Sequence, residues 1–150
     1  AQCTEAFDSK LANIYTKFLC EKAFDILEKA LIDKTYENLA YGAMISGLGF
    51  GNSSTTLGHA LSYVYSNEGI SHGHALAFTT TIAHKFNDSK FYDRFKSLSD
   101  LLNFKPIKLN QNLEKAAELI QTDRKHLDYN PKNISNNEII KLLSSINSLN

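Results

Sequence analysis

The stretch from Gly47 to Thr81, GLGFGNSSTTLGHALSYVYSNEGISHGHALAFTTT, decides the reading of the fold. Ser53-Ser54-Thr55-Thr56 offers hydroxyls to the start of a helix whose Leu57, Ala60, Leu61 and Val64 recur at helical spacing. Tyr65-Ser66-Asn67-Glu68-Gly69 supplies a turn, and Ser71 stands where it can cap a second helix through Ala75, Phe78, Ile82 and Phe86. Helices joined by so short a turn run antiparallel. His59 then lies midway along the first and His72 in the first turn of the second, so their imidazoles can be brought to one point. Neutral imidazole is a natural ligand for iron, zinc or nickel. A helical histidine also serves as a hydrogen-bonded core or surface residue, and spacing alone leaves both readings open.

Working outward, helical periodicity continues on both sides. Phe7, Leu11, Ile14 and Phe18 are spaced to share a face, and Leu19, Ala23, Ile26 and Ala30 continue a stripe. A small-residue helix is expected from Tyr36 to about Gly49. Downstream, Phe91, Phe95, Leu98 and Leu101 predict a helix that ends before Pro106. Leu109, Leu113, Ala116 and Ile120 predict another. Ser135 with Glu138 forms a capping box that opens a last helix through Ile146. The Asn- and Ser-rich tail from Ser144 to Asn150 is expected to fray. Nowhere does the sequence sustain the two-residue alternation of a half-buried strand. The reading is an all-α, multi-helix bundle in a single domain over residues 1–150.

All seven glycines fall between Gly42 and Gly73. A helical glycine costs about 0.5–1 kcal/mol relative to alanine, so the cluster needs a reason. Tight helix packing is one, close backbone approach to a bound group is another, and both can hold. Gly47-Leu48-Gly49-Phe50-Gly51 is not a dinucleotide loop, because it follows a helix where that motif needs a strand.

Bulk properties narrow the class. Hydrophobic residues make up 43% of the chain and 16 basic residues balance 16 acidic ones, which gives no footprint for nucleic acid or an anionic membrane. No apolar run approaches the roughly 20 residues of a membrane span, and the opening AQCTEAFDSK is too polar for a signal peptide. Cys3 and Cys20 match neither a disulfide framework nor a zinc motif, so they are expected to be ordinary buried thiols in a reducing, cytoplasmic setting. His84 and His126 have no partner in sequence and default to the surface.

The central stretch resembles the signature of the iron-containing (group III) alcohol dehydrogenases. There, a G-x-x-F-x-N run leads into a helix bearing a ligand histidine, then a turn, then P-H-G with a second. His59 falls on the first ligand and His72 on the second. Asn130-Pro131-Lys132-Asn133-Ile134-Ser135 is similar to the family's closing N-P-R-x-L-T segment, and AQCTEAFDSK to its D-A-x-x-H-A-I-E helix. The likeness therefore spans nearly the whole chain and implies the family's all-helical C-terminal domain, of the dehydroquinate synthase-like kind.

The departures are specific. The family's two other ligands, an Asp and a His, correspond to Ala1, which has no donor, and Glu5, which can still reach a metal. Ser71 replaces the usual proline. Tyr63 lies where many members carry a third histidine; its hydroxyl either faces the site or the ring is simply buried. His74, about 200° around the helix from His72, is read as supporting or packing. The resemblance implies Fe2+ or Zn2+ held by His59, His72 and Glu5, polarising an alcohol oxygen while hydride passes to NAD(P). It also implies a nucleotide-binding α/β domain that precedes this segment, without which the chain is expected to fold but not to oxidise alcohols. An exposed apolar patch is expected where that domain docks, with homodimer formation as a way to cover it. The substrate is a small alcohol or aldehyde, and the wording of the stretch is closer to branches acting on phosphonate- or sugar-acid-type molecules than to the propanediol branch. The competing class is a metal-free helical interaction module derived from the same fold, which Ala1 and Glu5 favour.

Overall fold

The computed structural model describes residues 1–149 and gathers into two compact units, Ala1–Thr55 and Thr56–Asn150. Among the described residues there are nine helices and no strand, so the all-α expectation holds. No helix among them is long and apolar enough to cross a membrane.

The first unit contains α1 (Gln2–Asp8), α2 (Ile14–Asp33) and α3 (Tyr36–Phe50). Between α1 and α2 the chain turns, and Asn13 restarts it. The Asn13 side chain accepts the backbone N–H groups of Tyr15 (3.0 Å) and Thr16 (3.1 Å), while Thr16 Oγ1 accepts the Asn13 N–H at 2.9 Å. That reciprocal cap satisfies donors a helix start leaves orphaned. It corrects one expectation: Phe7, Leu11, Ile14 and Phe18 are split between a helix, a turn and a second helix, and Ile14 and Phe18 face solvent. The local cap outweighed the apolar period.

Lys34, in the left-handed conformation (φ 56°), closes α2 and sends the chain back as α3. A Cβ added at Gly42 would stand 2.7 Å from Leu27 Cγ, and one at Gly49 would stand 2.6 Å from Cys20 Sγ. Late α2 therefore meets early α3 and early α2 meets late α3, an antiparallel pair at a separation only glycine permits. Packing thus accounts for these two glycines. Cys3 and Cys20 are buried free thiols, as expected, and burial, then the neighbouring Cys3, pushes the Cys20 thiol up to about 12. A thiol so disfavoured as thiolate is chemically quiet.

The second unit holds α4 (Leu57–Asn67), α5 (His72–Asn87), α6 (Tyr92–Leu102), α7 (Leu113–Gln121), α8 (Arg124–Leu127) and α9 (Asn136–Asn147). Its core is continuous, with Leu57, Leu61, Val64, Ala117, Ile120 and Leu143 all buried in one cluster. The α4–α5 hairpin forms as the sequence predicts, turning at Gly69 with φ +89°, a region that favours glycine. Thr56 and Ser71 occupy the N-cap positions, although neither side chain makes the cap hydrogen bond.

Leu109 is a second correction. It lies in the non-helical segment 103–112, and α7 begins only after Asn112, whose side chain accepts the Lys115 N–H at 3.0 Å. Burial of Ile107 and Leu109 holds the segment from beneath. Its polar anchor is the Glu68 carboxylate, which accepts the backbone N–H of Asn110 (2.8 Å) and of Gln111 (3.0 Å). Burial pulls the Glu68 pKa upward, but these donors outweigh it and hold the carboxyl below its ordinary range. The Ser135–Glu138 capping box is present as predicted, Ser135 N–H donating to Glu138 at 2.8 Å and Glu138 N–H to Ser135 Oγ at 3.3 Å. Helix α9 runs on to Asn147, so the first part of the Ser144–Asn150 tail is helical; Asn150 lies outside the described residues.

One buried side chain ties the second unit together. Asn130 Oδ1 accepts the Leu57 N–H at the head of α4 (3.4 Å) and Asn87 Nδ2 at the end of α5 (2.8 Å). Its amide donates back to Asn87 Oδ1 (3.0 Å) and to the Lys132 carbonyl (2.7 Å). The Asn130-Pro131 turn is thus fastened to both helices of the hairpin.

Candidate functional site

The hairpin brings His59 and His72 together: their ring centroids are 5.3 Å apart with planes at 66°. His59 is buried, 4% exposed, because it projects from the middle of α4, whose residues 57–62 are all buried. His72 opens α5 at the surface. Its Nδ1 lies 3.2 Å from Ser62 Oγ, and that hydroxyl donates to the His59 carbonyl at 2.8 Å. Ser62 therefore bridges the His59 carbonyl and the His72 ring. Metal-binding histidines commonly have their second nitrogen held in this way.

Tyr63, one turn after His59, does not become the buried aromatic that was one of its two readings. It is 42% exposed and stacks on His72, with centroids 5.7 Å apart and planes at 9°. Its other neighbour was missed in the sequence. His126, expected at the surface, is buried at 6% exposure in the short helix α8. It lies 5.6 Å from the Tyr63 ring and stacks on His59 at 6.0 Å with planes at 13°. The four rings thus form a closed circuit, His59–His72–Tyr63–His126. Asp123 orients the newcomer: it caps α8 through the His126 N–H at 3.3 Å and accepts from His126 Nδ1 at 2.7 Å. A signal for this did exist, since Asp123 precedes His126 by the three residues of an N-cap.

His74 and His84 lie outside the ring circuit. His74 points away from His72, donates from Nε2 to the Lys105 carbonyl at 2.6 Å and packs beside Phe104. It braces the 103–112 segment. His84, also expected at the surface, is buried against Phe95 with ring planes at 83°. Glu5 lies buried in α1 of the first unit. Among the described residues, no group of three or more His, Cys, Asp or Glu is arranged to hold a metal ion.

The separation of the His59 and His72 rings is by itself compatible with a shared ion. Two imidazoles that share one tetrahedral ion at about 2.0–2.1 Å have ring centroids roughly 5 Å apart, close to what His59 and His72 show. A surface cleft of about 840 Å³ between α5, α6 and α9 is lined by Phe78, Ile82, Phe86, Phe104 and Ile146, and none of the four circuit rings borders it. Volume and chemistry part company here, and the polar convergence is the better guide to a reactive site.

Comparison with known proteins gives a consistent picture. The profile of the Fe-containing alcohol dehydrogenase family, C-terminal, matches residues 1–128. No curated protein sequence matches the chain. Among solved structures, sulfoacetaldehyde reductase from Bifidobacterium kashiwanohense, determined with NAD+, has a TM-score of 0.83 at 21% identity, covering 99% of this chain and 48% of that one. The iron-containing alcohol dehydrogenase of Thermococcus thioreducens has a TM-score of 0.82 at 20% identity, covering 97% and 47%. That of Thermotoga maritima has 0.79 at 17%, covering 99% and 46%. At these identities the structural likeness is one of fold. The chain spans just under half the length of these relatives.

Proposed function

Since this chain belongs to the Fe-containing alcohol dehydrogenase family and corresponds to its C-terminal part, we propose that it is the metal- and substrate-binding helical half of an NAD(P)-dependent alcohol dehydrogenase. The convergence of His59 and His72 at 5.3 Å carries the reading. A bound Fe2+ or Zn2+ would supply Lewis-acid polarisation of the substrate oxygen. The protein's own contribution would be to hold the ion between a buried imidazole and a surface one that Ser62 braces. Tyr63, half-exposed over His72, presents a flat face and a hydroxyl to a small alcohol or aldehyde arriving from solvent. Nicotinamide belongs to a nucleotide-binding domain, since no strand–glycine-loop–helix unit exists among the described residues. By itself the chain folds without turning over alcohols.

One observation favours a second reading, a metal-free helical module: among the described residues no three ligand-type side chains are gathered for an ion. Metal analysis of untagged protein, repeated on His59→Ala and His72→Ala, separates the two. Outer-sphere partners alone are worth about 10–100-fold in affinity, so removal of either ligand is expected to weaken Zn2+ or Co2+ binding by more than about 100-fold. Wild-type protein that binds neither ion would leave only the metal-free module. Steady NAD(P)-linked turnover by the pure chain would overturn the division of labour.

A further inference from the structure

We propose that the cleft between α5, α6 and α9 is a binding site for a free aliphatic carboxylate of medium length, its anionic head at Lys85 and its chain against Phe78 and Phe104. Neither His59 nor His72 borders the cleft, so the inference goes beyond the metal-binding reading and does not rest on it. A volume of about 840 Å³ is that of a small-molecule pocket. Two ring contacts give the cleft its direction. His84 meets Phe95 with centroids 5.4 Å apart, and His74 meets Phe104 at the same separation, so the chain through α6 runs antiparallel to α5. Lys85 and Tyr92 therefore line the end beside the α5–α6 turn, and Phe78, Phe104 and Pro106 line the other.

The charges on the lining are unequal. Lys96 donates to Asp100, the one carboxylate bordering the cleft, at 2.5 Å, and Lys85 makes no ion pair among the described residues. An unpaired surface lysine is ordinary in itself. At one end of an apolar cleft it supplies the charge that a carboxylate needs, while its aliphatic stem adds to the apolar wall. The opposite end is firmly built: the Lys105 carbonyl, between Phe104 and Pro106, accepts His74 Nε2 at 2.6 Å, and Ile107 beyond them is buried. Seven residues of α5 separate Phe78 from Lys85, about 10 Å at roughly 1.5 Å per residue, the span of an extended chain of about eight carbons. A cation at one end and phenyl rings at the other select a ligand with one charged head and one apolar tail.

The test titrates the whole chain with octanoate below its micellar range, followed by calorimetry. One equivalent should bind, more tightly than hexanoate by up to about fourfold for each added methylene. Octanamide, with the same tail and no charge, should bind about fivefold more weakly. Lys85→Gln should weaken octanoate by a similar factor of about five and erase its advantage over octanamide. Phe104→Ala should weaken both ligands by about tenfold. Far-UV circular dichroism shows whether that variant is folded, and the exposed Lys85 decides the matter if it is not. Octanoate binding that is absent, or that ignores Lys85→Gln, overturns the proposal. A dimer in sedimentation that Phe104→Ala dissolves and octanoate does not would give the cleft to a second copy of the chain and overturn it equally.

Discussion

The two units solve the same problem, a stable stack of helices, by opposite means. The second gathers large apolar residues into one continuous cluster and spends polar ones inward, on Asn130, His59 and His126. The first packs small residues tightly, glycine against Leu27 and Cys20, and leaves many of its large apolar residues outside. Tyr36 is 84% exposed and Ile14 79%, and Tyr41, Met44 and Leu48 lie in the open along one face of α3. An apolar outer surface on a well-packed helix pair is the signature of a face meant to be covered. The first unit thus exposes apolar side chains of the size that the second gathers into its core.

This contrast can be broken at several points. The largest effect is expected at Asn130. Asn130→Ala leaves the Leu57 N–H and the Asn87 amide without their partner, at about 1–3 kcal/mol for each group, and chemical denaturation should report that loss. A change below about 0.5 kcal/mol would show that the turn does not hold the hairpin. Next comes Gly49→Ala. The added methyl would sit 2.6 Å from Cys20 Sγ in a buried contact, and overpacking of this kind costs roughly 1–3 kcal/mol. Equal or higher stability would mean that α2 and α3 are not in close contact.

Glu68 sharpens the picture through pH. Its carboxyl pKa is lowered in the folded chain, so its contribution is complete above the ordinary value of 4.5 and is lost as pH falls from there through the lowered one. Glu68→Gln should remove about 1–2 kcal/mol at pH 7 and flatten that part of the acid-stability curve. An unchanged curve would place the anchor of segment 103–112 elsewhere. The smallest effect on stability is expected on the outer face of α2. Phe18→Ser should alter stability by no more than about 0.5 kcal/mol while reducing hydrophobic-dye binding and self-association. A large destabilisation would identify Phe18 as core instead.

Much of the molecule was legible one residue at a time. Cap residues and apolar spacing are local, so α3, the α4–α5 hairpin, α6 and the Ser135–Glu138 box could be read directly, and with the hairpin came the meeting of His59 and His72. Where two local signals competed, the period misled: Asn13 and Asn112 cut helices that apolar spacing alone would have run together. Both are asparagines that satisfy orphaned backbone N–H groups, and a hydrogen bond to each is worth more there than another turn of marginal helix.

Sequence alone determined the fold class, the family and the pair of imidazoles, because each depends on residues within a few turns of one another. Only tertiary structure decided the rest. It carried His126 across 67 positions to the face of His59, buried His84 against Phe95, and turned Ile14 and Tyr36 outward. Such placements depend on which helix faces which, a property of packing that no local pattern encodes.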